Sequence, residues 1–171
     1  MSSNNIKNLE EQVSELDENI QFFKSIQNSA SYTIISTRLD GVITSFNAKA
    51  EKLLGYKADD LVGKETPAIF HDLDEVIQRS KEFSKKLNRV ISPGFETFVC
   101  HCDEGLKNEF EWRYIHKDST VIPVMLSITA MKNDIGETVG YLGISQDIRE
   151  QKLLEKELRA KNNQLEKAQQ L

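Results

Sequence analysis

Three strand-like segments in the last third of the chain place the tightest constraint on its fold. They read "NEFEWRYIH", "VIPVMLSITA" and "TVGYLGIS", and they begin at Asn108, Val121 and Thr138. Inward and outward positions alternate along each segment, as in strands that bury one face. The links between them are short, whereas parallel neighbours need a crossover of a dozen or more residues. The sequence therefore predicts three antiparallel neighbouring strands.

A strand hairpin and several short helices precede these strands. Asp40-Gly41 marks a tight turn between "SYTIISTRL" and "VITSFN". Asn47 is a suitable N-cap for "AKAEKLL", and Gly55 ends that helix. Further helical segments are "KADDLV", "PAIF", "DLDEVIQRSKEFSKKL" and part of "SPGFETFVCHCDEG", which we expect to start near Ser92 and to stop at Gly105. Strands, then helices, then strands indicate the α+β class.

The N-terminal segment has the apolar spacing of a coiled coil. Residues 4–28 are predicted as one helix, and their a and d positions are Ile6, Leu9, Val13, Leu16, Ile20 and Phe23. β-Branched residues at a, with leucine and phenylalanine at d, favour a parallel two-stranded coil and hence a homodimer. The alternative is one amphipathic helix packed on its own domain.

The C-terminal segment returns to a helical pattern. Residues 149–171 lack Gly and Pro and carry a partial seam of Leu154, Leu158, Leu165 and Ala168. We therefore divide the chain into an N-terminal dimerisation helix (1–29), a globular domain (30–148) and a C-terminal linker helix (149–171).

Composition and charge indicate which partners and which cellular compartment to expect. The net charge is −5, and acidic and basic residues are interspersed, so we expect no nucleic-acid partner and no anionic membrane surface. The sequence contains neither a long apolar run nor a signal peptide. Cys100 and Cys102 lie too close in sequence to link distant segments, which indicates a reducing cytoplasm.

The sequence offers no catalytic or metal-binding pattern. Cys100-His101-Cys102 has the residue types of a zinc site, but on a helix the two thiols point about 200° apart. There is no Gly-x-Ser-x-Gly elbow and no phosphate-binding loop. We predict no catalytic residues, no metal and no enzyme activity.

The middle of the chain resembles a PAS domain. The matching stretches are "LDGVITSFN", "NAKAEKLLGY", "DDLVGK", "EWRYIHKDSTVIPVMLSIT" and "GYLGISQDIRE", over roughly residues 30–150. The resemblance implies a five-stranded antiparallel sheet with helices on one face, enclosing a pocket. It extends to the subset common in bacterial sensor kinases and cyclic-dinucleotide enzymes, in which "GFETFV" is an added helix. The expected pocket wall is Ile34, Ser36, Phe70, His71, Trp112, Tyr114, Val124, Leu126, Ile128, Tyr141 and Ser145.

The resemblance leaves the cofactor open. The light-sensing flavin class has a reactive Cys in a turn that corresponds to Gly63–Phe70 here, and this stretch contains no Cys. That class also bonds the flavin through amide side chains, but Gln146 lies one residue away from the matching position and therefore on the opposite face of its strand. His71 is the one candidate haem ligand, although a histidine there is more often structural. Trp112 and Tyr114 could stack on a non-covalent flavin, although such aromatic residues more often fill the core. We expect no cofactor, with flavin or haem as alternatives.

These patterns predict a regulatory function. We expect a cytoplasmic sensor module that responds to a small ligand or a redox cue. Asp147 and Arg149 would relay the response from the last strand to the C-terminal helix, where Asp147 also caps the helix start. The effector, of kinase or cyclase type, would lie outside this chain. The alternative is a ligand-free dimerisation or interaction module.

Overall fold

Two strands, a run of short helices and three further strands follow one another between two long terminal helices. The computed structural model describes residues 3–169, with side chains from residue 5 onward. The elements are α1 (Ser3–Ser29), β1 (Thr33–Arg38), β2 (Ile43–Phe46), α2 (Ala48–Leu54), α3 (Ala58–Leu61), a 3₁₀ turn (Pro67–Phe70), α4 (Leu73–Leu87), α5 (Phe95–Asp103), β3 (Glu109–Ile115), β4 (Val121–Lys132), β5 (Thr138–Asp147) and α6 (Arg149–Gln169).

The five strands form one antiparallel sheet in the order β2-β1-β5-β4-β3. The predicted antiparallel neighbours β3, β4 and β5 are confirmed. The last strand, β5, returns to lie between β4 and β1, which strand periodicity alone does not predict.

The pairing of β1 with β5 brings both long helices to one end of the domain. Thr33 at the start of β1 lies opposite Ser145 near the end of β5, and their hydroxyls are hydrogen-bonded. Helix α1 precedes β1 and helix α6 follows β5. The two helices therefore meet the sheet beside each other.

Asn47 ties three elements together at that end. Its side-chain oxygen accepts from the backbone N–H of Ala50 in α2 and of Ile34 in β1, each at 3.0 Å. Its amide donates to the carbonyl oxygen of Gln27 in α1 at 2.8 Å. The predicted N-cap is confirmed, and Gly55 ends α2 in the left-handed region at φ 77°.

The outer edge of β3, which pairs with no other strand between residues 3 and 169, is covered by Asp72 and the first half of α4. The Asp72 N–H donates to the Arg113 carbonyl oxygen at 3.2 Å, and the Arg113 N–H donates to Glu75 Oε2 at 2.7 Å. The Arg79 guanidinium donates to the Glu111 carbonyl oxygen. These bonds satisfy backbone groups that would otherwise pair with another strand.

The core lies between the inner face of the sheet and the short helices. Its largest fully buried side chains include Phe70, Trp112, Tyr114, Leu54 and Val124. The two long helices contrast with this core. Every residue of the predicted α1 seam is exposed, with relative exposures of 43 to 60%, and no residue of α6 is buried. No helix between residues 3 and 169 is long and apolar enough to span a bilayer.

Helix α5 begins later than its sequence suggests. It starts at Phe95, after Gly94 at φ 130°, rather than at Ser92. Ser92 instead contacts the helix from outside: its N–H donates to Glu96 Oε2 at 2.9 Å, and its carbonyl accepts from the Thr97 hydroxyl at 3.0 Å.

Candidate ligand cavity

An apolar cavity of about 30 Å³ lies between the inner face of the sheet and helix α5. Strands β1, β3, β4 and β5 form one side, while α5 and the 3₁₀ turn form the other. The lining residues are Ile35, Thr37, Pro67, Phe70, His71, Phe95, Phe98, Val99, Tyr114, Leu126, Ile128, Tyr141 and Gly143.

Six of the eleven expected wall residues line this cavity, namely Phe70, His71, Tyr114, Leu126, Ile128 and Tyr141. Trp112, Val124 and Ser145 are buried but are not among the lining residues. Trp112 contacts His71 edge-on at 5.3 Å between ring centroids, and the Ser145 hydroxyl is bonded to Thr33.

Ile34 and Ser36 do not line the cavity, and this expectation is corrected. The Ser36 hydroxyl lies on the opposite face of the sheet, hydrogen-bonded to Thr44 at 2.8 Å and to Ser45 at 2.6 Å. Their neighbours Ile35 and Thr37 face inward, because they pair with Gly143 and Tyr141 of β5. A shift of one residue reverses the face of a strand. Arg38, which shares a face with Ile34 and Ser36, is the sequence signal for the outward side.

The sequence analysis did not predict that α5 forms one wall of the cavity. Phe95, Phe98 and Val99 fall at helical spacing, but that spacing does not show what the helix covers. The Phe95 ring packs directly over Gly41 in the β1–β2 turn and lies 5.7 Å from the Tyr141 ring. The Tyr141 hydroxyl donates to Asp103 at 2.7 Å, so both ends of α5 contact the cavity strands.

His71 is enclosed by aromatic rings. Its ring centroid lies 4.2 Å from that of Phe98 and 4.9 Å from that of Tyr114. Burial, together with the smaller effect of the nearby positive charge of Arg79, lowers the pKa of His71 to about 3. His71 is therefore a neutral imidazole at neutral pH. Burial likewise raises the pKa of Tyr114 to about 12.

Two polar atoms of the lining residues have no protein partner. Thr37 Oγ1 and His71 Nδ1 are both buried and form no hydrogen bond with any residue between 5 and 169. A buried polar group without a partner costs about 1–3 kcal/mol. Thr37 and His71 belong to different parts of the lining, since Thr37 lies level with Ala130 of β4 and His71 lies beside Tyr114, which pairs with Ile122.

The cavity does not fit a flavin or a haem. Pockets for molecules of that size span about 300–1,000 Å³, far more than this cavity. Gln146 is exposed on the other face of β5, and the His71 ring is packed against Phe98 and Tyr114. Across residues 5–169, no group of His, Cys, Asp and Glu side chains is arranged to hold a metal ion.

The two cysteines have the properties of structural thiols. Burial raises the pKa of Cys100 to about 11 and also raises the pKa of Cys102. The Cys102 thiol donates to the Ile128 carbonyl oxygen at 3.1 Å. Both thiols are therefore protonated at neutral pH and poorly nucleophilic.

The passage from β5 to α6 is held by side-chain contacts. Ile148 is buried and its N–H donates to the Pro123 carbonyl oxygen at 3.1 Å. Asp147 Oδ1 accepts from the Arg149 N–H at 3.0 Å, which is the predicted capping contact, and its carboxylate pairs with the Arg149 guanidinium at 2.7 Å. Burial opposes ionisation of Asp147, but the bonds from Arg149 lower its pKa overall. Lys152 also pairs with Glu111 of β3 at 2.7 Å.

A five-stranded antiparallel sheet, covered on one face by short helices around a small cavity, is the architecture expected of a PAS domain. The sequence model of that family, described as PAS domain, matches residues 30–150. The chain belongs to the PAS domain family. PAS domains are sensory modules and are typically not enzymes.

Solved structures share this fold at low sequence identity. The PAS domain of a protein from Colwellia psychrerythraea is 20% identical, with a TM-score of 0.59 over 77% of this chain and 98% of that one. The PAS domain of an HTR-like protein from Haloarcula marismortui is 17% identical, with a TM-score of 0.55 over 81% and 99%. A sensory box histidine kinase/response regulator from Burkholderia thailandensis is 16% identical, with a TM-score of 0.54 over 85% and 98%. No curated protein sequence matches the chain.

Proposed function

We propose that this protein is a cytoplasmic sensor module in which a ligand in the cavity alters the position of helix α6. The observation that carries the proposal is the path of β5. Tyr141 and Gly143 of this strand line the cavity, and the same strand ends at Asp147, beside the first residue of α6. A change at the cavity therefore acts on the strand that leads into the C-terminal helix.

The relay would operate at the end of the sheet where both long helices join it. Asp147 and Arg149 fix the start of α6, and Lys152 holds its first turn against β3 through Glu111. Packed helices tend to switch between discrete arrangements rather than deform continuously. A shift at the end of β5 would favour one arrangement of α6, which an effector of kinase or cyclase type would then read.

The same proposal includes a homodimer formed through α1. The a and d residues Ile6, Leu9, Val13, Leu16, Ile20 and Phe23 are exposed rather than packed on the domain. Their β-branched and leucine pattern suits a parallel partner helix. Residues 1–29 would join two copies, and residues 149–171 would carry the output.

A second function is favoured by the small size of the cavity. Aromatic side chains occupy most of the space between α5 and the sheet, which leaves about 30 Å³. This packing suits a ligand-free interaction module, which would use the fold only to dimerise and to dock a partner.

Replacing Gly143 with alanine separates the two functions. A Cβ at Gly143 would lie 3.5 Å from Leu126 Cδ1, which is ordinary van der Waals contact, so the methyl group would occupy cavity space without distorting the strand. If the cavity controls α6, Gly143→Ala will change the hydrogen-exchange rates of the first-turn amides from Arg149 to Lys152. These rates are measured by exchange with mass spectrometry on the full chain.

The control is Ile144→Val, on the opposite face of the same strand. It changes β5 by one methyl group without reaching the cavity. Altered α6 exchange in Gly143→Ala alone supports the sensor. Unchanged α6 exchange in a folded Gly143→Ala protein contradicts the relay and favours the interaction module.

A further inference from the structure

Helix α6 is attached to the domain at two points that belong to different strands. Asp147, at the end of β5, caps the helix and pairs with Arg149 at 2.7 Å. Lys152, further along the first turn, pairs with Glu111 of the edge strand β3, at 2.7 Å between Nζ and Oε2. The start of α6 therefore has a contact with β3 that does not pass through β5.

Strand β3 is held by α4 at the same level. The Glu75 carboxylate accepts from the Arg113 N–H at 2.7 Å, and the Arg113 guanidinium pairs with Asp72 at 2.9 Å. The Arg79 guanidinium, one turn further along α4, donates to the carbonyl oxygen of Glu111 itself. Glu111 is thus bound by α4 through its backbone and by α6 through its side chain, so the two helices share one residue of β3.

The two halves of this connection differ in their exposure to solvent. The side chains of Glu75 and Arg79 are 13% and 19% exposed and form an ion pair at 3.4 Å. Those of Lys152 and Glu111 are 45% and 50% exposed. Water and salt screen exposed charges strongly, whereas partly buried pairs are screened much less. A displacement of α4 would therefore move β3 with it, and the contact from β3 to α6 is the adjustable step.

Helix α4 begins beside the inner layer of the domain. Asp72, its N-cap, directly follows His71, whose backbone forms a bridge with Tyr114 of β3. A change in packing that moves the start of α4 would reach β3 through Glu75 and Arg79. This path is separate from the one along β5.

We propose that Glu111 is a positioning residue that couples α4 to α6, so that the C-terminal helix responds to movements of α4 as well as of β5. This inference rests on the proposed role of α6 as the output of the sensor, and it adds a second input to that helix.

Glu111→Gln tests the contact with α6. The substitution keeps the size of the side chain and removes its charge, so the amides of residues 152–156 should exchange faster by up to about fivefold, the equivalent of about 1 kcal/mol. Exchange is measured by mass spectrometry on the full chain at low salt and again in about 1 M NaCl, where the Debye length is about 3 Å and the difference from the wild type should shrink. Glu111→Lys combined with Lys152→Glu reverses the pair and should restore slow exchange.

The matched control is Glu109→Gln. Glu109 lies two residues earlier on the same face of β3 and pairs with the neighbouring Lys107 at 3.2 Å. This variant loses the same single negative charge, and its α6 exchange should equal that of the wild type.

Glu75→Gln tests whether α4 acts through Glu111. Loss of this α4 contact should speed α6 exchange by roughly twofold in the wild type and should have no effect once Glu111→Gln is present, because residues of one network give non-additive effects. Arg79→Met, which removes the bond to the Glu111 carbonyl, repeats the test if Glu75→Gln fails to fold. An ion pair with a purely structural role would give additive effects.

Each contrary result overturns one part of the proposal. Equal α6 exchange in the wild type and Glu111→Gln at low salt would refute the contact, and equal acceleration by Glu109→Gln would assign the effect to net charge. The same effect of Glu75→Gln with and without Glu111→Gln would refute the coupling. These outcomes are distinct from failure of the relay along β5, which is read from α6 exchange in Gly143→Ala.

Discussion

At the scale of single residues, His71 is the most unusual side chain of the domain. It is only 6% exposed, its Nδ1 has no hydrogen-bond partner among residues 5–169, and aromatic rings surround it. A phenylalanine would fill the same space without an unsatisfied atom. A buried polar atom of this kind is normally satisfied in a folded protein, by an ordered water, an ion or a bound molecule where no side chain does so.

The low pKa of His71 predicts a stability loss in acid. Its pKa is about 3 in the folded protein, against 6.5 for an exposed histidine, so between those pH values the unfolded chain binds a proton that the folded chain does not. The free energy of unfolding should therefore fall on acidification, by about 2 kcal/mol from pH 7 to pH 5 through this residue. Urea unfolding at both pH values measures it.

His71→Phe should lose about 2 kcal/mol less than the wild type over the same interval, because it has no group there to titrate. Thr37→Val, which alters the same cavity without removing a titratable group, should retain the wild-type pH dependence. Equal losses in wild type and His71→Phe would show that the buried imidazole does not govern this dependence.

At the scale of elements, the start of α6 depends on one carboxylate. Asp147 accepts from the Arg149 N–H and pairs with the Arg149 side chain, while Lys152 in the same first turn pairs with Glu111 of β3. The rest of α6 is exposed. Helix α6 is therefore anchored to the domain only near its N-terminus.

Asp147→Ala should loosen that anchor. Loss of a capping side chain costs about 1 kcal/mol, and the first-turn amides should exchange faster by roughly fivefold. Exchange of the Arg149–Lys152 amides measures the effect. Asp147→Asn keeps an acceptor oxygen and should stay close to the wild type, so equal acceleration in both variants would assign the effect to charge rather than to the cap.

The elements also differ in how far sequence predicts them. Strands β3 to β5 and the caps of α2 follow from local signals: a period of two, short links, Asn47 and Gly55. The face of β1 is marked more weakly, because both of its alternating sets mix apolar and hydroxyl side chains and Arg38 alone identifies the outward set. The position of α5 over the cavity depends on long-range packing of Phe95 on Gly41, which no local pattern encodes.

At the scale of the whole molecule, the exposed apolar seam of α1 leads us to expect a homodimer. Val13→Glu together with Ile20→Glu would place charges at the centre of a paired helix interface. Sedimentation velocity should then show a fall from a dimer to a monomer of 19.5 kDa. The matched control is Ser14→Glu with Gln21→Glu, which adds the same charge beside the seam and should leave the dimer intact. A wild-type protein that already sediments as a monomer would contradict the coiled coil.

The central place of β5 has a further consequence for how the chain acquires its structure during synthesis. β5 is the last strand to leave the ribosome, yet it lies between β4 and β1, the first strand made. Until β5 has been synthesised, β1 and β4 both expose unpaired edges, and the inner face of the sheet lacks its central strand. Pairs such as Thr33 with Ser145 are far apart in sequence and form slowly. We therefore expect nascent chains that lack residues 138–147 to remain unfolded and prone to aggregation.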